Sequence, residues 1–225
     1  MKFFTLFFVM AFAAITSYAQ VSLGIRGGYV NTGLESSGAA PGTTRQDNWQ
    51  AGLYANIPLF ERGYLHPGMS YLVKGAGLNY ALTHPVNLFS TGATKLKLQY
   101  LELPVNLVYK VPVSFGKLFA GVGPYAAYCL RGDYDLAVYN NGQLVQSGSQ
   151  QLAFKTAPNV FGTNIKVQRW DAGLNCCAGV ELNCFLTLTG HYGYGLTDID
   201  KSAGNNFRNR YWGLSLGFLF DREDW

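Results

Sequence analysis

Apolar and polar residues alternate along most of the chain. In YLELPVNLVYK, residues 100–110, Leu101, Leu103, Val105, Leu107 and Tyr109 fall on one side, and Glu102, Pro104, Asn106, Val108 and Lys110 on the other. A period of two is the mark of a β-strand with one oily and one mostly polar face. VSLGIRGGY opposes Leu23, Ile25 and Tyr29 to Arg26 and glycines. WQAGLYANIPL, YLHPGMSYLVKG, GKLFAGVGPYAAYCLRGD, WDAGLNCCAGVEL, FLTLTGHYGYGL and RYWGLSLGFLF repeat the pattern. Eight strands of ten residues or slightly more are expected, and no segment has a helical period. In all eight the central charges keep to one side of the alternation: Arg26, Lys74, Glu102, Lys110, Arg131, Asp171 and Glu181.

The connections alternate in length. Residues 32–48, 79–95, 134–169 and 197–209 are long; ERG, PVSFG and the turn at Asn183–Cys184 are short. Long loops at one end and tight turns at the other is the pattern of outer-membrane barrels, whose long loops are extracellular. The longest connection is expected to hold a hairpin, with Asn141-Gly142 between LAVYN and QLVQ as its type I′ turn.

Composition decides what the oily face meets. Charged residues make up 13% of the chain, about half the ~25% of soluble domains, while aromatics reach 15%. A tilted strand of this length crosses the hydrocarbon layer, and a closed barrel satisfies its backbone groups there. The expected fold is therefore all-β: an eight-stranded antiparallel up-and-down transmembrane β-barrel with short periplasmic turns and long extracellular loops. Leu, Val and Tyr face lipid, and the charges face inward, where an eight-stranded barrel is filled by its own side chains. The net charge of +4, with no basic run interleaved with aromatics, gives no reason to expect nucleic acid.

The first residues read as an export signal. Lys2 precedes an apolar run from Phe3 to about Ile15, and SYA-Q supplies small residues before a cut after Ala19. The run is too short for the ~20 residues of a spanning helix. Residues 1–19 are expected to be the signal peptide and 20–225 the barrel domain.

YLELPVNLVYK and GKLFAGVGPYAAY, with RWDAGLNCCAGVEL, HYGYGLTDID and NRYWGLSLGFLF after them, resemble the PorT-like family of outer-membrane β-barrels, barrels of the OmpA/OmpX-like eight-stranded kind. The resemblance runs from about Val21 to Phe220. It implies a Gram-negative outer-membrane location and, through one namesake member, a link to protein secretion. DREDW after Phe220 departs from barrels that finish on a terminal aromatic, unless Trp225 takes that place.

These readings fix the candidate residues. An interior polar network is expected from Arg26, Lys74, Glu102, Asn106, Lys110, Arg131, Asp171, Glu181 and His191. Tyr71, Tyr109, Tyr128, Tyr192, Trp212 and Phe220 are expected at the lipid interfaces, where amphipathic rings sit. Pro104 and Pro124, inside strands, are expected to cause local bulges, or to leave a ladder donor missing where water can reach its partner. Cys129, Cys176, Cys177 and Cys184 are read first as free thiols, and a Cys129–Cys177 bridge second. Their spacing fits no zinc pattern, and neither cofactor nor metal is expected.

The first functional reading is a non-enzymatic barrel with a structural or interaction role, in its finer form an accessory to protein secretion, whose expected partners are outer-membrane lipid and, through the extracellular loops, other envelope or secretion proteins. The second is an outer-membrane enzyme acting on lipid or peptide through His191, which no nucleophile motif accompanies. The third is a small pore or a soluble lipocalin-type carrier.

Overall fold

The computed structural model describes residues 21–37, 43–78, 89–91, 94–140, 143–151, 168–199 and 206–221. The expected signal peptide, His84, the Asn141-Gly142 turn itself and Trp225 lie outside them. Ten strands follow in chain order: β1 (Ser22–Ser37), β2 (Thr43–Phe60), β3 (Gly63–Leu78), β4 (Phe89–Thr91), β5 (Thr94–Val113), β6 (Gly116–Asn140), β7 (Gln143–Gln151), β8 (Trp170–Leu182), β9 (Leu186–Gly195) and β10 (Asn206–Leu219).

Eight of them close a barrel. β1, β2, β3, β5 and β6 pair in succession, β6 pairs with β8 from Gly116↔Leu182 to Tyr128↔Trp170, and β8 continues through β9 and β10. β10 returns to β1 from Gly24↔Leu219 to Ser37↔Asn206, so no edge remains. Every barrel pairing is antiparallel. At the lower, periplasmic end the turns are short: Glu61–Arg62, Ser114–Phe115 and Asn183–Phe185. Arg62 and Phe185 take positive φ there, at 66° and 68°.

The upper, extracellular end differs from the sequence expectation. Strand structure runs well into the stretches read as loops. β1 continues to Ser37 and β2 starts at Thr43 within the first long connection. β6 does not end near Asp133 but continues to Asn140, where it pairs with β7 on one side and with β4 on the other. The expected hairpin is β6–β7, closed by Asn140↔Gln143. Hydrogen bonding between strands outside the hydrocarbon is as available as within it, so hydropathy does not mark where a strand stops.

The two faces follow the alternation. Leu23, Ile25, Leu53, Leu107, Val122 and Leu216 point outward and are between 43% and 66% exposed. Such a continuous apolar wall far exceeds the few hundred Å² a soluble monomer tolerates. The inward positions are closed. Above the middle of the barrel, Leu34, Ala76, Leu96, Leu98, Tyr100, Tyr125, Ala127, Cys129, Tyr134, Ile199 and Phe207 form one buried cluster. Ile199 comes from the segment after β9, which bonds back to Phe207 O and receives Gln168 N–H. It thereby seals the upper mouth.

Neither predicted bulge forms. Pro104↔Tyr125 and Pro124↔Leu174 hold the same register as the pairs around them. The irregularity between β5 and β6 is four residues higher. There Gln99↔Arg131 gives way to Tyr100↔Cys129 and leaves Leu130 over. One extra residue reverses the faces beyond it. Arg131 therefore points outward, with its side chain 55% exposed, and is no part of the interior network.

Candidate functional site

The interior polar residues lie in three levels. The upper level centres on Lys74 of β3, whose side chain is 1% exposed. Its Nζ lies 2.8 Å from Glu102 Oε2 of β5 and 2.9 Å from Asp171 Oδ2 of β8. Three rings surround the same ammonium, with centroids at 4.6 Å (Tyr125), 4.9 Å (Tyr211) and 5.0 Å (Tyr100). The carboxylates are held in turn. Tyr211 OH donates to Glu102 Oε1, while Asn209 Nδ2 and Thr197 Oγ1 each donate to Asp171 at 2.8 Å. A charge taken out of water is tolerated only with this degree of pairing and hydrogen bonding.

The lowest level is a second ion pair, Lys110 Nζ to Glu181 Oε2 at 3.0 Å, with the Tyr64 ring centroid 4.3 Å from the ammonium. Between the two lies a level without carboxylates. Arg26 Nη2 donates to Ser70 Oγ at 3.0 Å and the guanidinium lies over Tyr54. His66 packs on the Tyr54 ring at 4.7 Å, and His191 Nε2 faces Gln50 Nε2 at 3.0 Å. Gln50 also donates to Ser215 Oγ. A cavity of about 10 Å³ opens beside Arg26, Tyr54, His66 and Thr187, room for about one water. Of the cavity's lining, both His66 ring nitrogens and Arg26 Nε lack a hydrogen-bond partner, which gives such a water its anchors; Asn106 Oδ1 is likewise unpaired.

Of the expected network, Arg26, Lys74, Glu102, Asn106, Lys110, Asp171, Glu181 and His191 point inward, but they form separate levels rather than one chain of contacts. Asn106 Nδ2 meets only Cys177 Sγ, at 3.9 Å. His191 sits mid-barrel opposite Gly213, with Gln50 as its partner. The tyrosines that cage the ammonium groups were not singled out in the sequence. Their signal was parity: Tyr100 is in phase with Glu102, and Tyr211 with Ser215. The four cysteines are free thiols. Cys177 lies opposite Gly121, eight positions below Cys129 on the barrel wall, too far for a bridge. Among the described residues no His, Cys, Asp or Glu cluster could hold a metal.

On the outer wall the aromatics gather at two heights. The upper band crosses four strands: Trp212 meets Tyr29 at 5.7 Å, Tyr29 is opposite Trp49, and Trp49 meets Tyr71 at 5.3 Å. Tyr128 and Trp170 continue it at 5.0 Å, and Tyr192 stands on β9. Tyr109, Phe185, Phe218 and Phe220 lie at the lower end. Trp49 and Trp170 stand where the alternation of the second and sixth sequence strands begins, beside turn-like residues, although β2 itself starts earlier, at Thr43.

The profile of the outer membrane protein beta-barrel domain family matches residues 16–201. No curated protein matches the chain. Among solved structures it is similar to three barrels. One is OprG from Pseudomonas aeruginosa (13% identity, 89% of this chain, 96% of that one, TM-score 0.47). Another is neisserial surface protein A (11%, 88%, 97%, 0.44). The third is Ail of Yersinia pestis, solved with the heparin analogue sucrose octasulfate (12%, 89%, 99%, 0.43).

Proposed function

The chain belongs to the outer membrane protein β-barrel domain family and resides in the outer membrane, and from that premise we propose that it is a non-enzymatic interaction protein of the cell envelope rather than a pore. The filled interior carries this reading. Lys74, Glu102 and Asp171 occupy the cross-section at one height, and the Leu96–Leu98–Phe207 cluster closes it above. Among the described residues, side chains fill the cross-section at these heights, which speaks for a plugged barrel rather than an open channel. With the lumen occupied, the surfaces left for recognition are the outer wall and the extracellular ribbon of β4, β6 and β7, since binding concentrates on loops carried by a rigid scaffold. The PorT-like character of YLELPVNLVYK and GKLFAGVGPYAAY supports a finer version, in which the ribbon contacts a protein-secretion machine.

Planar-bilayer recording of the purified barrel tests the filled interior. No discrete conductance steps are expected, and steps at a reproducible amplitude would make it a pore. Cross-linking from Ser149 on β7 should then capture an envelope protein. The rival enzyme reading rests on His191, which is bound to Gln50 inside the barrel. It requires hydrolysis of a lipid or peptide substrate that His191→Ala abolishes.

A further inference from the structure

The charges on the outer wall are placed asymmetrically. Among the described residues, outward positions between the two ends of the barrel carry no charged side chain. The lower end offers the turn residues Glu61 and Arg62, which lie 3.9 Å apart. The upper end is richer in cations, and on the β5–β6–β8 side they converge. Arg131 is turned outward by the Leu130 bulge and lies two residues from Cys129, whose N–H bonds to Arg169 O. Lys97 is opposite Asp133, and Lys95 opposite Asp135, on the same pair of strands. Arg131 Nε donates to both Asp133 oxygens at 3.0 Å, so four cations share this patch with two carboxylates.

What lies beneath the patch gives it a direction. Arg169 Nη1 donates to Tyr128 OH at 2.9 Å, and Tyr128 packs edge-on against Trp170. Directly below, Ala126 is opposite Ala172, both exposed, with Leu103 as the next neighbour on β5. A cationic cap, an aromatic pair at the interface and a shallow strip of small side chains follow one another down the wall.

We propose that this side of the barrel binds a phosphate-bearing lipid of the outer leaflet, its phosphate against Arg131 and Arg169 and an acyl chain lying over Ala126 and Ala172. Clustered cations beside a membrane surface attract anionic headgroups. Arginine matches phosphate through its planar fork. The bulge that reverses Arg131 places it on the lipid side, where an inward guanidinium would have joined the filled interior.

The test uses the full chain refolded in detergent, with bis-phosphorylated lipid A as the probe and native mass spectrometry as the readout. Lipid A is expected to remain bound. Arg131→Gln with Arg169→Gln should weaken it about thirtyfold, at the usual contribution of a basic residue near a charged surface. Arg45→Gln, across the barrel, should leave it unchanged. Dephosphorylated lipid A retained as well as the phosphorylated form would overturn the proposal. So would equal loss in Arg45→Gln, or displacement by free pyrophosphate at concentrations matching the lipid's. Should the double variant lose its heat-dependent gel shift, the phosphorylated and dephosphorylated probes on the wild-type chain decide alone.

Discussion

Lys74 shows what one residue must do inside a narrow barrel. Its ammonium touches two carboxylates and three tyrosine rings, so its removal strands Glu102 and Asp171 together in a space closed to water. Breaking a buried pair costs ~3–5 kcal/mol, whereas replacing the whole set with neutral groups of similar shape is often harmless. Lys74→Met should therefore lower the unfolding free energy by about that amount, read from the urea midpoint in lipid vesicles. Lys74→Met with Glu102→Gln and Asp171→Asn should recover most of it. Equal losses in the single and triple variants would mean that packing around Tyr125 and Tyr211, rather than charge balance, sets the cost. Packing is tight at that level: a Cβ at Gly193 would collide with the Tyr211 ring.

At the scale of the strand, the prolines act together. The β2–β3 ladder skips Ala55–Asn56 against His66–Pro67. The β3–β5 ladder skips Gly68–Met69 against Leu103–Pro104, and the β5–β6 ladder skips Val105–Asn106 against Gly123–Pro124. Each gap contains one proline, which has no N–H to donate. The three gaps step across four strands as one seam, beside the His66 ring, both of whose nitrogens lack a partner, and the half-satisfied Asn106. Amides of Ala55, Gly68 and Val105, which face the three prolines across the ladder and keep only one bond of each pair, should exchange with deuterium roughly fivefold to tenfold faster than those of Leu107 and Tyr109, by the net worth of one hydrogen bond. Uniform protection along β5 would refute the seam. The sequence made the faces of β5 legible because every inward residue from Leu96 to Lys110 keeps one parity. It hid the Leu130 bulge, since an extra residue leaves the local alternation of apolar side chains intact and shows only in pairing with a distant strand. The strand ends above the membrane were hidden for a related reason: beyond the hydrocarbon, backbone bonding continues while the hydropathy pattern that reports it fades.

The whole molecule takes its stability from two solvents, a polar interior of its own making and lipid outside. This makes the cost of a charge on the wall a function of height alone. On β10 the outward residues run from Trp212 in the upper aromatic band through Leu214, Leu216 and Phe218 to Phe220 at the lower end. Eight residues of strand span ~26 Å along their own axis, enough when tilted to cover most of the ~25 Å apolar band of such barrels. Leu216 is midway and 66% exposed. Leu216→Arg should cost ~2–4 kcal/mol in vesicle-reconstituted unfolding, while Phe220→Arg should cost only ~0–1, because its guanidinium reaches headgroups. A soluble barrel gives the opposite profile. There an arginine at Leu216 relieves an exposed apolar wall, so that substitution raises solubility and leaves stability within ~0.5 kcal/mol, as exposed changes generally do. The two substitutions thus measure which solvent the Leu face was selected for, and the gradient between them locates the midplane on β10.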